Sequence, residues 1–201
     1  MVTSNHVHLL VFDDDGKNVI PDSIKLTAGR VAQEYNNRKS RKGAFWEDRY
    51  HATGIETNEH LNRCMAYIDL NMVRAGVVNH PADWECCGYN EIQHPKERKG
   101  IIDFITLMNL LDMKNHDHLK EAHRKWVESA LPDGNNQRDS KWSQSIAVGS
   151  KSFVEEIKER LGFKAKGRRV IGCDDTYELR ESSASYGNVD DGFDNTFLWD
   201  Q

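Results

Sequence analysis

Apolar and polar positions alternate along residues 5–12: Val7, Leu9 and Val11 take one side, His6 and His8 take the other, and Asp13-Asp14-Asp15-Gly16 closes the run. That pattern predicts a strand ending in a turn. Pro21-Asp22-Ser23 opens a helix that reaches about residue 37, with Ile24, Ala28, Val31 and Tyr35 on one face. Residues 44–56 alternate well enough for a second strand. From residue 59 to residue 74 the period becomes helical. Laid out at about 100° per residue, Leu61, Cys64, Met65, Ile68 and Met72 fall in one arc, and His60, Arg63, Tyr67, Asn71 and Arg74 fall in the next. Thr57 or Asn58 caps this helix and Gly76 ends it. Strand, helix, strand, helix is the order of an α+β sheet domain.

The second half reads differently. Irregular chain packed by Trp84 and Tyr89 occupies residues 81–93. Mostly apolar helices follow at 101–113 and at 118–130, the latter anchored by Leu119, Trp126 and Val127. Ser152-Phe153-Val154-Glu155 has the form of a capping box and opens a helix ending at Gly162. A basic run from Lys164 to Arg169 comes next.

The polar positions suggest chemistry. In a strand His6 and His8 point the same way with Cα atoms roughly 6–7 Å apart, close enough for two imidazoles to share one ion. His116 and His118 repeat the spacing at a helix start, where residues two apart diverge by about 200° and face solvent. Tyr67 and Asn71 share a helix face four residues apart. A helical tyrosine is more often a boundary residue with a wet hydroxyl, so Tyr67 gains weight only alongside the histidines. Tyr35 and Tyr50 are its competitors, and neither has a ligand-type residue at the right spacing. Arg38, Lys39, Arg41 and Lys42, followed by Phe45, Trp46 and Arg49, supply charges for phosphates and rings for bases, although a charge run is often only a solvated loop.

These motifs carry a resemblance. Asn5-His6-Val7-His8-Leu9-Leu10-Val11, then Gly43 to Tyr50, then Tyr67 to Val78 with Pro81 and Trp84 beyond, resemble in order and spacing the single-tyrosine HUH transposases, and most of all the REP-associated tyrosine transposases. The likeness covers residues 4 to 90 and is loose after about residue 91. It implies an HUH-type, ferredoxin-like or RRM-like antiparallel sheet with helices on one face, followed here by a helical C-terminal extension. It implies that His6, His8 and Asn71 hold one Mg²⁺ or Mn²⁺ and that Tyr67 attacks a DNA phosphate. The enzyme then stays on the 5′ side of the nick and leaves a free 3′-hydroxyl. Arg63 and Arg74, about a turn either side of the tyrosine, would clamp phosphate. The implied partner is single-stranded or hairpin DNA, with palindromic repeat hairpins as target.

Two departures stand against the family pattern. The HUH strand is normally preceded by a further strand and helix, whereas Met1 lies five residues before His6. A sheet short of a strand favours association, most simply as a homodimer, or instability. Met72 stands where a proline commonly follows the asparagine. The rival readings are a catalytically inactive remnant that only binds DNA and, further off, a structural metal-binding protein.

Composition bounds rather than decides. The chain has 201 residues, 38% of them hydrophobic, and can bury one ordinary core with a small second unit. A net charge of −5 is awkward for a nucleic-acid binder. It gathers late: residues 172–201 hold eight acids against the single base Arg180, which reads as a disordered tail. The expected division is therefore a truncated catalytic domain at 1–92, a helical extension at 93–170 and an acidic tail at 171–201. Cys64, Cys86, Cys87 and Cys173 lack metal-type spacing, and no signal peptide or long apolar span is present. No membrane partner is expected, and the cytoplasm is the simplest location.

Overall fold

A computed structural model describes residues 1–3, 5–13, 18–96, 100–131, 139–173 and 176–181. Its elements are α1 (Val19–Arg38), β1 (Gly54–Ile55), α2 (Glu59–Asp69), α3 (Asn71–Arg74), α4 (Gly88–Gln93), α5 (Phe104–Leu110), α6 (His116–Ala130), α7 (Lys141–Gln144), β2 (Ala147–Gly149), α8 (Lys151–Leu161), β3 (Arg168–Cys173) and β4 (Thr176–Glu181). The class is α+β, as the alternation of patterns predicts.

Helices α2 to α6 form one packed layer. The apolar arc of α2 points inward as expected: Leu61, Cys64 and Met65 are buried, and Met72 beyond the helix end is too. Leu61 and Met65 pack with Ile92, Leu111 and Leu119, while Ala66, Leu70 and Val73 pack with Cys87, Tyr89 and Val127. Local chemistry sets the helix starts. Asp103 accepts from the Ile105 and Thr106 amides to cap α5, and Asn115 accepts from the His118 amide to cap α6. Asp69, at the end of α2, ties the layer together by accepting from the Tyr89 amide at 3.1 Å and meeting His123 Nε2 at 2.9 Å.

The sheet has strand order β1-β2-β4-β3. β3 and β4 form an antiparallel hairpin, β4 pairs antiparallel with β2, and β2 pairs parallel with β1. Helix α8 covers it, burying Val154 and Ile157 against Ile146, Ala147 and Leu179. Gly149 is needed where β2 passes α8: a Cβ there would come within 2.8 Å of Glu56 Cβ. The Glu56 carboxylate in turn accepts from the Ser150 amide and hydroxyl, fastening the chain after β1 to the start of α8.

Several expectations need correction, among them the irregular chain expected at 81–93, which holds α4. Residues 5–12 are not a strand of the sheet; they run extended, with one isolated bridge between Val2 and Val7. The physical reason is that the hydrogen bonds of this N-terminal stretch go to its own first residues and to Trp84 and Cys86 rather than to the edge strand β1. Met1 to His8 instead folds back on itself through His8 N to Met1 O at 2.9 Å, and docks through Val2 N to Cys86 O and Trp84 Nε1 to Val2 O. The strand expected at 44–56 is confined to Gly54–Ile55. The helix expected at 59–74 breaks at Leu70, leaving Tyr67 and Asn71 on separate helices. The C-terminal part is not purely helical: β2, β3 and β4 come from it, and β4 lies inside the stretch expected as an acidic tail. Residues 182–201, the rest of that tail, lie outside the described residues, as does the turn expected at Asp14 to Gly16. The capped helix also starts earlier than its box suggests, because Ser150 rather than Ser152 accepts from the Phe153 amide. Among the described residues no helix is long and apolar enough to cross a membrane.

Candidate functional site

The fold-back of residues 1–8 sets His8 against the start of α3. His8 Nε2 stands 3.2 Å from the Asn71 side-chain amide nitrogen, a contact between positions 63 apart in sequence. His6 shares the same side: its ring is 6.3 Å from that of His8 and only 7° from parallel. The alternation expected of a strand therefore survives even though no sheet forms. His6 is exposed and its Nδ1 meets Asn5 Oδ1 at 2.8 Å.

This set is two imidazoles and an amide, and among the described residues no group of three or more His, Cys, Asp or Glu is gathered. The His8–Asn71 separation fits an ion-binding edge. Two neighbouring ligands of an octahedral ion at about 2.1 Å stand about 3.0 Å apart, and turning the Asn71 amide end for end would present its oxygen to that edge.

Tyr67, half-buried near the end of α2, has its ring centroid 6.0 Å from that of Trp142 on α7. The Arg74 guanidinium lies 3.9 Å over the Tyr67 ring and donates to the Tyr67 carbonyl at 2.6 Å, beside the break at Leu70. Burial holds the Arg74 guanidinium below its ordinary range, opposed by Tyr67 and by the Asp139 charge. Arg74 thus braces the tyrosine itself. Arg63 donates to the Glu59 carboxylate and reaches Thr176 of β4 at 3.2 Å. Cys64, on the inner arc of the same helix, has its thiol pushed up to about 12 by burial, so it stays protonated and inert.

The basic segment after α1 is scattered over an open surface. The Arg38 and Arg41 guanidiniums sit 6.0 and 5.9 Å from the Tyr35 ring centroid, and Arg41 also donates to the Ala44 carbonyl. Lys39 and Lys42 are exposed. Trp46, partly exposed, donates its ring N–H to the Ala28 carbonyl at 3.0 Å, and Arg49 lies further on, facing the C-terminal sheet. The competitor Tyr35 packs on Phe45 at 4.7 Å between ring centroids.

Sequence reasoning missed Trp142, which brings a ring from the C-terminal part up to the tyrosine. It sits in a four-residue helix too short for any period to show.

No curated protein and no solved structure matches the chain. Residues 1–71 match the family described as "Transposase IS200 like", a stretch that holds His6, His8 and Tyr67 and ends on Asn71. Over that stretch, about a third of the chain, the protein is similar to the IS200-like transposases.

Proposed function

We propose that this protein is a transposase that cuts and rejoins single-stranded DNA through Tyr67, with Mg²⁺ or Mn²⁺ held by His6, His8 and Asn71, at hairpins of palindromic repeat DNA. The observation that carries this reading is the 3.2 Å approach of His8 to Asn71, which brings two of the three candidate ligands together from opposite ends of the family match. An ion held there would act as a Lewis acid on the scissile phosphate.

The chain's own groups do the rest. The Tyr67 phenol oxygen attacks phosphorus, forming the O–P bond as the bond from phosphorus to the 3′ oxygen breaks. The phenol proton is lost, and the departing oxygen takes up a proton to become a 3′-hydroxyl. The covalent link keeps the broken strand's bond energy for rejoining, when the steps run in reverse. Arg74, fixed over the Tyr67 ring, keeps a positive charge beside the phosphate as negative charge builds there. The Trp142 ring, 6.0 Å from that of Tyr67, narrows the approach to it.

A second reading, an inactive remnant that binds hairpin DNA without cutting it, is favoured by the exposure of His6 and of the apolar side chains of Leu9, Val11 and Phe12 beyond it. The test is a labelled hairpin oligonucleotide incubated with Mn²⁺. A denaturant-resistant protein–DNA adduct that disappears in Tyr67→Phe supports cutting. Tight binding with no adduct supports the remnant, and no binding at all overturns both.

A further inference from the structure

A polar cleft of about 460 Å³ lies where the chain leading into β1 meets the C-terminal sheet. Its walls include Arg49 and His51 ahead of β1, Ser143 and Gln144 of α7, Arg168 of β3 and Arg180 of β4. A recess of this size suits a ligand of one to a few rings, and Tyr50, also in its wall, offers an aromatic face. Three arginines line it, together with the acids Asp48 and Glu181.

The arginines are built into the fold rather than spread over it. Arg168 is only 7% exposed; it donates to the Lys164 carbonyl at 2.6 Å, and its guanidinium stands 3.7 Å from the largely exposed Glu181 carboxylate. Burial holds the Arg168 guanidinium below its ordinary range, and Glu181 offsets this in part. Arg180 donates to Gln144 Oε1 at 2.5 Å, and its guanidinium is 3.6 Å from Glu178. Planar arginine forks fixed around a concave surface match paired oxygens of a phosphate better than flexible lysines would. The two acids disfavour a second phosphate and can accept from the amino group of a base.

The position matters as much as the charge. Helix α7 is a wall common to both sites, since Trp142 faces Tyr67 while Ser143 and Gln144 face the cleft. A helix with its side chains is about 10 Å across, a span that a few nucleotides cover at about 3.4 Å or more each.

We propose that this cleft binds one nucleotide of the single-stranded DNA that reaches Tyr67, with its phosphate against Arg49, Arg168 and Arg180 and its base toward Tyr50. The inference rests on the reading of Tyr67 as a DNA-cutting residue. It gives the C-terminal sheet, which lies outside the family match, a share in holding the substrate.

The test is made in the full chain carrying Tyr67→Phe, so that only binding is read. A fluorescent hairpin oligonucleotide with an unpaired flank is titrated by anisotropy over a range of salt. Arg180→Ala is expected to weaken binding about tenfold and to reduce the slope of log K against log salt by about 0.7, the value of one lost single-strand phosphate contact. Arg180→Lys should restore the slope and only part of the affinity. Arg49→Ala, on the exposed side of the cleft, serves as the independent variant should Arg180→Ala melt early.

Unchanged affinity and slope in variants that melt like the parent overturn the proposal. So does stabilisation by inorganic phosphate that depends on Arg180 while oligonucleotide binding does not, since that makes the cleft a site for free anions. The two readings fail separately. An Arg180-dependent slope in a protein that forms no adduct upholds the cleft and removes the cutting role, whereas adduct formation with an Arg180-independent slope does the opposite.

Discussion

Residues 1–58 and residues 59–181 are packed to different standards. In the first, Val7, Leu9, Val11 and Phe12 are exposed along the extended run, and among the described residues none in α1 is buried, with Val19, Leu26 and Val31 open to solvent. In the second, Leu119, Val127, Ala147, Val148, Val154 and Leu179 have no exposure at all. The family match falls mostly in the first region, yet the core that holds the molecule together falls in the second. The lesson is that the family likeness and the packed core fall largely on different parts of the chain, with Tyr67 and Asn71 standing where the two overlap.

The largest expected effect is at the buried pair that links α2 to α6. Asp69 and His123 are both buried, and Asp69→Ala leaves the imidazole and the Tyr89 amide without their acceptor. Urea unfolding should show a loss of about 3–5 kcal/mol, with Asp69→Asn losing less because it keeps an acceptor oxygen. A loss below about 1 kcal/mol would mean that the network does not organise the layer.

Next is the packing contrast itself. Leu119→Ala, at 0% exposure, should cost about 2–5 kcal/mol, whereas Leu26→Ala in α1, at 59% exposure, should change stability by no more than about 0.5 kcal/mol. Comparable losses from the two, measured by the same denaturant titration, would erase the distinction between the regions.

The same contrast explains what could be read in the sequence. The inward arc of α2 was legible because helix burial follows a 3.6-residue period, and Leu61, Cys64, Met65 and Met72 obey it. The common side of His6 and His8 was legible because extended chain alternates whether or not a sheet forms. The partner of that run was not legible, since strand pairing is a long-range choice: β1 pairs with β2 across some 90 residues. The helix break at Leu70 gave no signal either, because no glycine or proline marks it. Strand β3 was hidden by its arginines, which close the basic run from Lys164 to Arg169, while Arg168 is in fact buried in the cleft wall.

The smallest effect sharpens the boundary between the two regions, because His51 sits on it. Burial holds its imidazole below the ordinary value of 6.5, the Arg168 charge adds to this, and the bond with the Ser145 carbonyl partly opposes it. The folded protein therefore takes up this proton less readily than the unfolded chain. Near the ordinary imidazole value the unfolded state binds more protons, so stability rises with pH through that region and falls as pH drops below it. Melting temperatures from about pH 5 to pH 7.5 should slope upward in the parent, and His51→Gln should flatten that slope. A phosphate seated against Arg168 and Arg180 would favour the protonated ring, so saturation with oligonucleotide should shrink the slope in the parent and leave it unchanged in His51→Gln. A slope that His51→Gln does not alter would assign the pH dependence to another group and take His51 out of the cleft's electrostatics.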